Sequence, residues 1–520
     1  MITHPRTLGP LQFGRVRRWL VETQSACHNS RASKSNGSRD LNVVLIATYE
    51  LGRQPFGLAS PAAWLRARGA NVACIDASHE PLEEEAIRQA DLIAFHVPMH
   101  TATRLAVELL ASVRALNPRA HFCFYGLYAP VNEAYLRKLG VHTILGGEFE
   151  NGLASLVERL GRGESRGLQP EPVISITRQE FLLPDRRGFL PLDRYARLHL
   201  PDGVERLAGY TESSRGCKHL CRHCPIVPVY NGVFRVVARD VVLDDIRQQV
   251  AAGAAHITFG DADFFNGVGH ALPLIAALHR EFPALTYDVT IKIEHLLHHR
   301  AHLATLRDTG CLFVTSAVES IDDAVLDRLA KNHTRADFLR VVEAFRETGL
   351  TLQPTFVPFT PWTTLDSFCE LLDFLRVHAL FENVAPIQLA IRLLIPAGSR
   401  LLELTDIQKL VGPFDESALA YPWKHADPRV DALCAQLQKI VSASEKLNLF
   451  RVQIFARMTD AARLAAGLPP LPANPLPIVA ARPAIPYLTE PWYCCAEPSG
   501  DQLASMRQIQ KSISGASAFV

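Results

Sequence analysis

Five runs of this 520-residue chain, at 42–49, 71–76, 91–97, 120–125 and 142–145, are apolar along nearly their whole length. Helical patterns lie between them at 61–68, 103–116 and 131–139, and another follows at 152–160. A strand with one wet face alternates apolar and polar residues, whereas a strand covered on both faces reads as a continuous apolar run. Such strands alternating with helices predict a doubly covered parallel sheet of Rossmann or flavodoxin type over residues 41–165. A second alternation begins at Tyr210, with strands expected at 210–213, 256–259, 287–293, 312–317, 351–357 and 384–394. The helices between them are expected at 240–252, 271–281, 295–309, 324–329, 335–348 and 364–377. Six strand–helix pairs predict an open or complete (β/α)6 parallel barrel over 206–400, with its site at the carboxyl ends of the strands. The fold class is α/β throughout.

The remaining segments read differently. Residues 1–40 contain a polar run that cannot bury a core and are expected to be a flexible extension. Residues 166–205 read as a connector, 401–465 as a helical region with a helix at 430–447, and 466–520 as a Pro-rich tail. Lys+Arg and Asp+Glu number 54 and 53, so no global charge draws the chain to nucleic acid or an anionic membrane. No apolar run approaches a membrane span and no signal peptide is recognisable, which predicts a cytoplasmic protein.

The cysteines are unevenly informative. Cys74 and Cys123 sit in apolar strand runs and read as core residues, whereas Cys217-Lys-His-Leu-Cys221-Arg-His-Cys224 directly follows the first expected barrel strand. Three thiolates in one loop can each hold one iron of a [4Fe–4S] cube, leaving the fourth iron open. A zinc knuckle is the competing reading, but the fourth ligand that structural zinc takes is missing nearby. The spacing resembles that of the radical S-adenosylmethionine superfamily, in which the open iron chelates the methionyl amine and carboxylate of the cofactor. The position of the loop after a strand agrees with that resemblance.

The resemblance implies seats for S-adenosylmethionine at successive strand ends. Gly260-Asp261-Ala-Asp263-Phe264 looks like the second-strand element, with Asp261 and Asp263 as acceptors for the amino group; helix capping is the alternative reading. Lys292 is a candidate for the methionyl carboxylate and Glu294 for the ribose, although an ion pair between them reads equally well. Ser316-Ala-Val-Glu319-Ser320 is similar to the fourth-strand element, making Glu319 a polar contact, and Arg392 is a candidate at the sixth strand. His295, His298, His299 and His302 share one helical face and are expected to be solvated, with His295 nearest the site. His219 and His223 are expected to shield the cluster rather than ligate it.

Residues 41–165 resemble the cobalamin-binding domain that precedes many radical S-adenosylmethionine cores. The resemblance rests on Pro55-Phe-Gly-Leu58, His96-Val-Pro-Met99 and the Gly147-Glu148 pair, and it implies cofactor-facing roles for Gly126, Gly147 and Glu148. The Asp-x-His-x-x-Gly motif that supplies a histidine to cobalt is absent after the first strand, so cobalamin would bind without that lower ligand. A flavodoxin-like domain with a structural role is the alternative.

The tail ends in Glu490-Pro-Trp-Tyr-Cys494-Cys495-Ala-Glu-Pro498, which resembles the signature of radical S-adenosylmethionine proteins with a Cys-Cys-Ala-Glu-Pro or Cys-selenocysteine-Ala-Glu-Pro tail. Adjacent cysteines have alpha carbons closer than a relaxed disulfide takes, so Cys494 and Cys495 suit redox cycling or soft-metal binding better than a staple. The selenocysteine that aligns with Cys495 in the resembling tail implies a nucleophilic or redox role there. The expected cofactors are a [4Fe–4S] cluster and S-adenosylmethionine, with cobalamin as a third candidate. The expected partners are a reductant such as flavodoxin or ferredoxin and a small-molecule or peptide substrate. The reading is an enzyme that generates a 5′-deoxyadenosyl radical, either for cobalamin-dependent methyl transfer or for a rearrangement or cyclisation without cobalamin. A non-enzymatic iron–sulfur redox or sensor protein is the alternative class.

Overall fold

The strand β1 (Asn42–Ala47) is hydrogen-bonded on both sides, to β2 (Asn71–Asp76) and to β3 (Leu92–His96), and its residues from Val43 to Ala47 are buried. This computed structural model describes residues 40–164, 169–469 and 485–489, together with Ala504 and Gln508. The sheet continues through β4 (His121–Tyr125) and β5 (Thr143–Gly147) to β6 (Ile174–Ser175), in the order β2-β1-β3-β4-β5-β6, with every pair parallel. Ile46, Phe95 and Phe124 are fully buried at its centre. Truncating any of them to alanine would cost about 2–5 kcal/mol. Where β1 and β3 lie side by side the strand order reverses, and sheets of this kind hold ligands at such a point.

Three differences from the sequence reading concern this unit. Ile174–Ser175 belongs to the sheet, as its sixth strand, although the sequence places it in a connector. An unforeseen short helix, Glu84–Gln89, joins β2 to β3. The expected helix at 131–139 is split into Tyr128–Val131 and Glu133–Lys138.

The second sheet contains β7 (Arg197–His199), β8 (Glu205–Thr211), β11 (His256–Phe259), β12 (Thr286–Thr290), β13 (Cys311–Glu319) and β14 (Thr351–Phe356). Its strand order is β14-β13-β12-β11-β8-β7-β15, where β15 is Tyr487–Leu488. The five strands from β8 to β14 are parallel, while β7 and β15 run antiparallel at one edge. The sixth barrel strand expected at 384–394 does not form. Pro386 opens a 3-10 turn to Ala390, and only one parallel bridge, Phe359 to Arg392, survives. Proline has no N–H to give to a ladder, so the edge closes with a turn instead. Between β8 and β11 a separate ribbon pairs β9 (Ser214–Gly216) with β10 (Phe234–Val236).

Beyond the barrel, helix Pro428–Lys446 starts with Asp427 capping Arg429 N and with Pro428 in the first turn, the favoured start for a helix. A second helix, Arg451–Ala465, follows within the 401–465 region. Val430, Leu433, Leu437, Phe455 and Met458 bury these helices in the same core as Phe374 and Leu375 of the barrel.

Candidate active site

The cysteine loop hangs from the β9–β10 ribbon. Gly216 is the last ribbon residue before Cys217 and has φ +76°, and an added Cβ would fall 2.4 Å from both Tyr230 Cδ1 and Val233 O. Only glycine takes this turn without strain. Cys217 N donates to Val233 O at 3.2 Å and Lys218 N to Asn266 Oδ1 at 3.1 Å, while Arg222 N donates to Leu329 O at 2.9 Å. The loop is therefore held from the ribbon, from the 3-10 turn Phe264–Gly267 beyond β11 and from the end of the helix Asp323–Arg328 beyond β13.

Cys217, Cys221 and Cys224 line one cavity of about 310 Å³ at the carboxyl ends of the barrel strands. That volume lies within the range of small-molecule sites. Burial pushes the Cys217 thiol up to about 11, so its thiolate needs a metal to form at neutral pH. Three thiols on one wall, beside Lys331, which Glu319 chiefly keeps cationic against its burial, fit an anionic thiolate-ligated cluster.

The predicted strand-end residues arrive at this cavity in different states. Asp261 is buried and accepts from Ser213 N at 2.9 Å, Ser213 Oγ at 2.7 Å and Ser214 Oγ at 2.5 Å. Burial raises it to about 6 despite those donors, and it clamps β11 to the turn before the ribbon. Asp263 accepts from Phe265 N at 3.0 Å and faces His295 Nδ1 at 2.8 Å. Burial opposes its ionisation, but His219 and His295 hold its pKa below the ordinary carboxylate value. Lys292 lines the cavity and donates to Glu294 at 3.1 Å, whereas Glu294 itself is 41% exposed and outside the cavity lining.

Glu319 ends β13 at a register shift and has φ +71°, a conformation that costs a non-glycine residue about 1–3 kcal/mol. Its buried carboxylate meets His223 Nε2 at 3.1 Å and Lys331 Nζ at 3.4 Å. Burial works against its charge, but Lys331 and His223 hold it down to about 2. Lys331 was not singled out by the sequence. Ala330 and Asn332 on either side of it have φ +52° and +55°, a turn that leaves no distinctive motif.

Arg392 is not brought to the cavity. Its guanidinium pairs with Asp431, donates to Trp423 O at 2.7 Å and lies 3.5 Å from the centre of the Trp423 ring. The loss of the sixth strand explains this, because the chain turns before Arg392 can point inward.

The loops of the N-terminal sheet form the opposite wall, through Leu51, Arg53, Met99, Leu127 and Tyr128. The two motifs read as hallmarks of this unit touch each other here: an added Cβ on Gly57 would fall 1.8 Å from the His96 ring, which pairs with Glu50 at 2.7 Å. Gly126 has φ +111°, and a Cβ there would meet the His96 ring and Val97. Gly147, with φ +71°, is packed against Ser175 O. Glu148 is buried and accepts from Tyr230 Oη at 3.1 Å. These three residues stand behind the cavity rather than in its lining.

Arg215, which sequence reasoning missed, faces Glu150 at 2.7 Å, Glu212 at 2.7 Å and Glu148 at 3.8 Å. Its ring contacts, Phe149 at 5.1 Å and Phe181 at 5.0 Å, complete a buried seat. Burial raises Glu148 to about 7 against the pull of Arg215. Cys494 and Cys495 lie outside the described residues. Just before them, Tyr487 and Leu488 pair with His199 and Leu198 and line the cavity, and Gln353 Nε2 donates to Pro486 O at 2.7 Å.

A three-cysteine loop after the first strand of a partial α/β barrel, facing carboxylates and lysines at the strand ends, is an arrangement suited to hold a metal cluster. Residues 211–375 match the family model of the radical SAM superfamily, and a domain of that type supports an enzyme. Its domain type uses a [4Fe–4S] cluster and S-adenosylmethionine.

Relatives include the ribosomal protein uS12 methylthiotransferase RimO of Bacteroides fragilis, 27% identical over 181 residues, 32% of this chain and 40% of that protein. The tRNA-2-methylthio-N(6)-dimethylallyladenosine synthase of Syntrophomonas wolfei is 22% identical over 56% of this chain and 65% of its own length. The chain thus spans about 40% of the length of the RimO relative and just under two thirds of the synthase. In fold it resembles the cobalamin-dependent S-adenosylmethionine radical enzyme OxsB, with TM-score 0.61 and 15% identity over 82% of this chain and 72% of that one. The radical S-adenosylmethionine methyltransferase TsrM of Kitasatospora setae gives TM-score 0.52 and 16% identity over 65% and 70% of the two chains. The N-terminal parallel sheet followed by a partial barrel is therefore a fold shared with these two enzymes. Among the described residues no helix is long and apolar enough to cross a membrane.

Proposed function

We propose that this chain reductively cleaves S-adenosylmethionine and directs the resulting radical to a substrate held between the barrel mouth and the N-terminal sheet. The observation that carries the reading is the shared cavity, in which Cys217, Cys221 and Cys224 face Arg53, Leu127 and Tyr128 of the other unit. Cys217, Cys221 and Cys224 would hold a [4Fe–4S] cluster, which would supply the electron for reductive cleavage of S-adenosylmethionine. The chain supplies position and charge. Lys292 and Lys331 offer buried cations for a carboxylate, and Glu319 and Asp261 offer acceptors for an ammonium or ribose hydroxyls. The apolar walls exclude water from a reactive intermediate. A small reductant of the flavodoxin or ferredoxin kind delivers the electron in the cytoplasm.

Methyl transfer with cobalamin against the N-terminal loops is the favoured outcome, supported by the likeness in fold to two cobalamin-containing enzymes. The wall residues Leu51, Leu127 and Tyr128 suit a flat apolar ligand, whereas Gly126, Gly147 and Glu148 are already packed on the chain's own atoms. A rearrangement or cyclisation without cobalamin is the second reading, favoured by that filled packing. Cys494 and Cys495, which follow β15 in the sequence, serve as a redox or nucleophilic pair for turnover.

The test is anaerobic reconstitution, reduction with dithionite and assay for 5′-deoxyadenosine. Product is expected from the native chain and its loss from Cys221→Ala; no product from a sample with an intact cluster would overturn the reading. Cobalamin is expected to co-elute with the chain on gel filtration, and its complete loss at micromolar protein would leave the cobalamin-free reading. Cys495→Ser is expected to keep S-adenosylmethionine cleavage but abolish substrate turnover.

A further inference from the structure

One wall of the cavity gathers three side chains from separate elements. His219 lies between Cys217 and Cys221, Asp263 follows β11, and His295 lies in the helix after β12. Asp263 Oδ2 is 2.8 Å from His295 Nδ1 and 3.4 Å from His219 Nε2, and all three atoms lie within 4.8 Å of one another. Each of the three atoms is buried, and beyond the ion-pair contacts among themselves none has a hydrogen-bond partner. The other oxygen of Asp263 is committed to Phe265 N, which aims the free one at both imidazoles. An unsatisfied buried polar atom costs about 1–3 kcal/mol, and three converging on one point call for a common partner.

A cation at that point satisfies all three. Two imidazoles and one carboxylate suit a divalent transition ion and leave positions open. Ligand bonds of about 2.0–2.2 Å put neighbouring donor atoms roughly 3.0–3.5 Å apart, close to the spacings found here. The surroundings fit as well. A histidine that gives Nε2 to a metal carries its proton on Nδ1 and needs an acceptor there. Glu294 stands 3.6 Å from His219 Nδ1, and Lys292, now 3.2 Å from the same atom, already bonds Glu294 at 3.1 Å. Metal binding would turn His219 from Lys292 to Glu294 without stranding the lysine.

We propose that His219, Asp263 and His295 form a site for one divalent transition-metal ion, separate from the cysteine-held cluster and opening on the same cavity. His219 and Asp263 line that cavity, so the remaining positions on the ion are available to water or to an oxygen donor of a bound ligand. Asp263 then serves the ion, and Asp261 and Glu319 remain for the ammonium of S-adenosylmethionine.

The test uses the full chain, reconstituted with iron and sulfide, stripped with EDTA and titrated anaerobically with Zn²⁺ by equilibrium dialysis with metal analysis. One zinc per chain beyond the cluster iron is expected, at micromolar affinity or tighter. His295→Gln is expected to weaken zinc at least 10-fold with iron content unchanged. Asp263→Asn, which keeps an acceptor for Phe265 N, provides a second variant with the same expected loss. Zinc X-ray absorption should show nitrogen and oxygen ligands only. Sulfur ligation, no zinc beyond the cluster iron, or loss of zinc in His298→Gln/His302→Gln with retention in His295→Gln would each overturn the site.

Discussion

Arg215, two residues before the first cluster cysteine, pairs at 2.7 Å with Glu150, in the first turn of the helix Phe149–Gly161 that closes the N-terminal sheet. The pair is buried and binds the cysteine loop to the N-terminal unit. Removing the cation strands Glu148, Glu150 and Glu212 together, and breaking a buried pair in this way costs about 3–5 kcal/mol. Arg215→Met is therefore expected to lower the melting temperature of the full chain by about 3–5 °C. A melting temperature within one degree of the native chain would refute the coupling.

Glu148 carries a pH dependence with a definite sign. Burial raises its folded pKa to about 7, above the ordinary 4.5. Between those values the folded chain holds a proton that the unfolded chain has lost, so this group's contribution to stability falls as pH rises from about 4.5 to 7. Glu148→Gln keeps an acceptor for Tyr230 and removes the titration. The melting temperature of the native chain minus that of Glu148→Gln is expected to drop by about 2–3 °C from pH 5 to pH 8. A flat or rising difference would contradict the assignment.

Gly216→Ala tests the turn that sets the cysteine loop. The φ of +76° and the 2.4 Å approach to Val233 O leave no room for a methyl group. Iron bound per chain after reconstitution is expected to fall below half of the native value, while far-ultraviolet circular dichroism stays native-like. Full iron uptake would show that the loop tolerates another path.

Lys331 and Glu319 are expected to act as a unit in the seat for S-adenosylmethionine. Lys331→Met leaves the buried carboxylate with His223 alone, and Glu319→Gln removes the charge that Lys331 answers. Each is expected to weaken S-adenosylmethionine binding to the reconstituted chain at least 10-fold. The double variant is expected to lose less than the sum of the two. Strict additivity would separate them.

Much of this architecture is legible because it rests on short-range patterns. Continuous apolar runs show strands covered on both faces, and the three cysteines fall where a strand ends. The short 3-10 turn at Pro386–Ala390 shows the limit of such reading, since residues 384–394 look strand-like until the proline is weighed. The histidines show the other limit. His295, His298, His299 and His302 read as one solvated helical face, and no carboxylate on that helix completes a site. The helix in fact ends at His298, and Asp263 reaches His295 from a different strand.

What lies in the residue string is the local chemistry: covered strands, a cluster-type thiol loop and a tail ending in paired cysteines. Those follow from residue type and spacing alone. Which charges meet was settled only by packing. Arg215 with Glu150, Lys331 with Glu319, and His219 with Asp263 and His295 are 65, 12, 44 and 32 residues apart in the chain. They meet because parallel strands bring their carboxyl ends to one edge, where burial strengthens every pairing and penalises every group left unpaired.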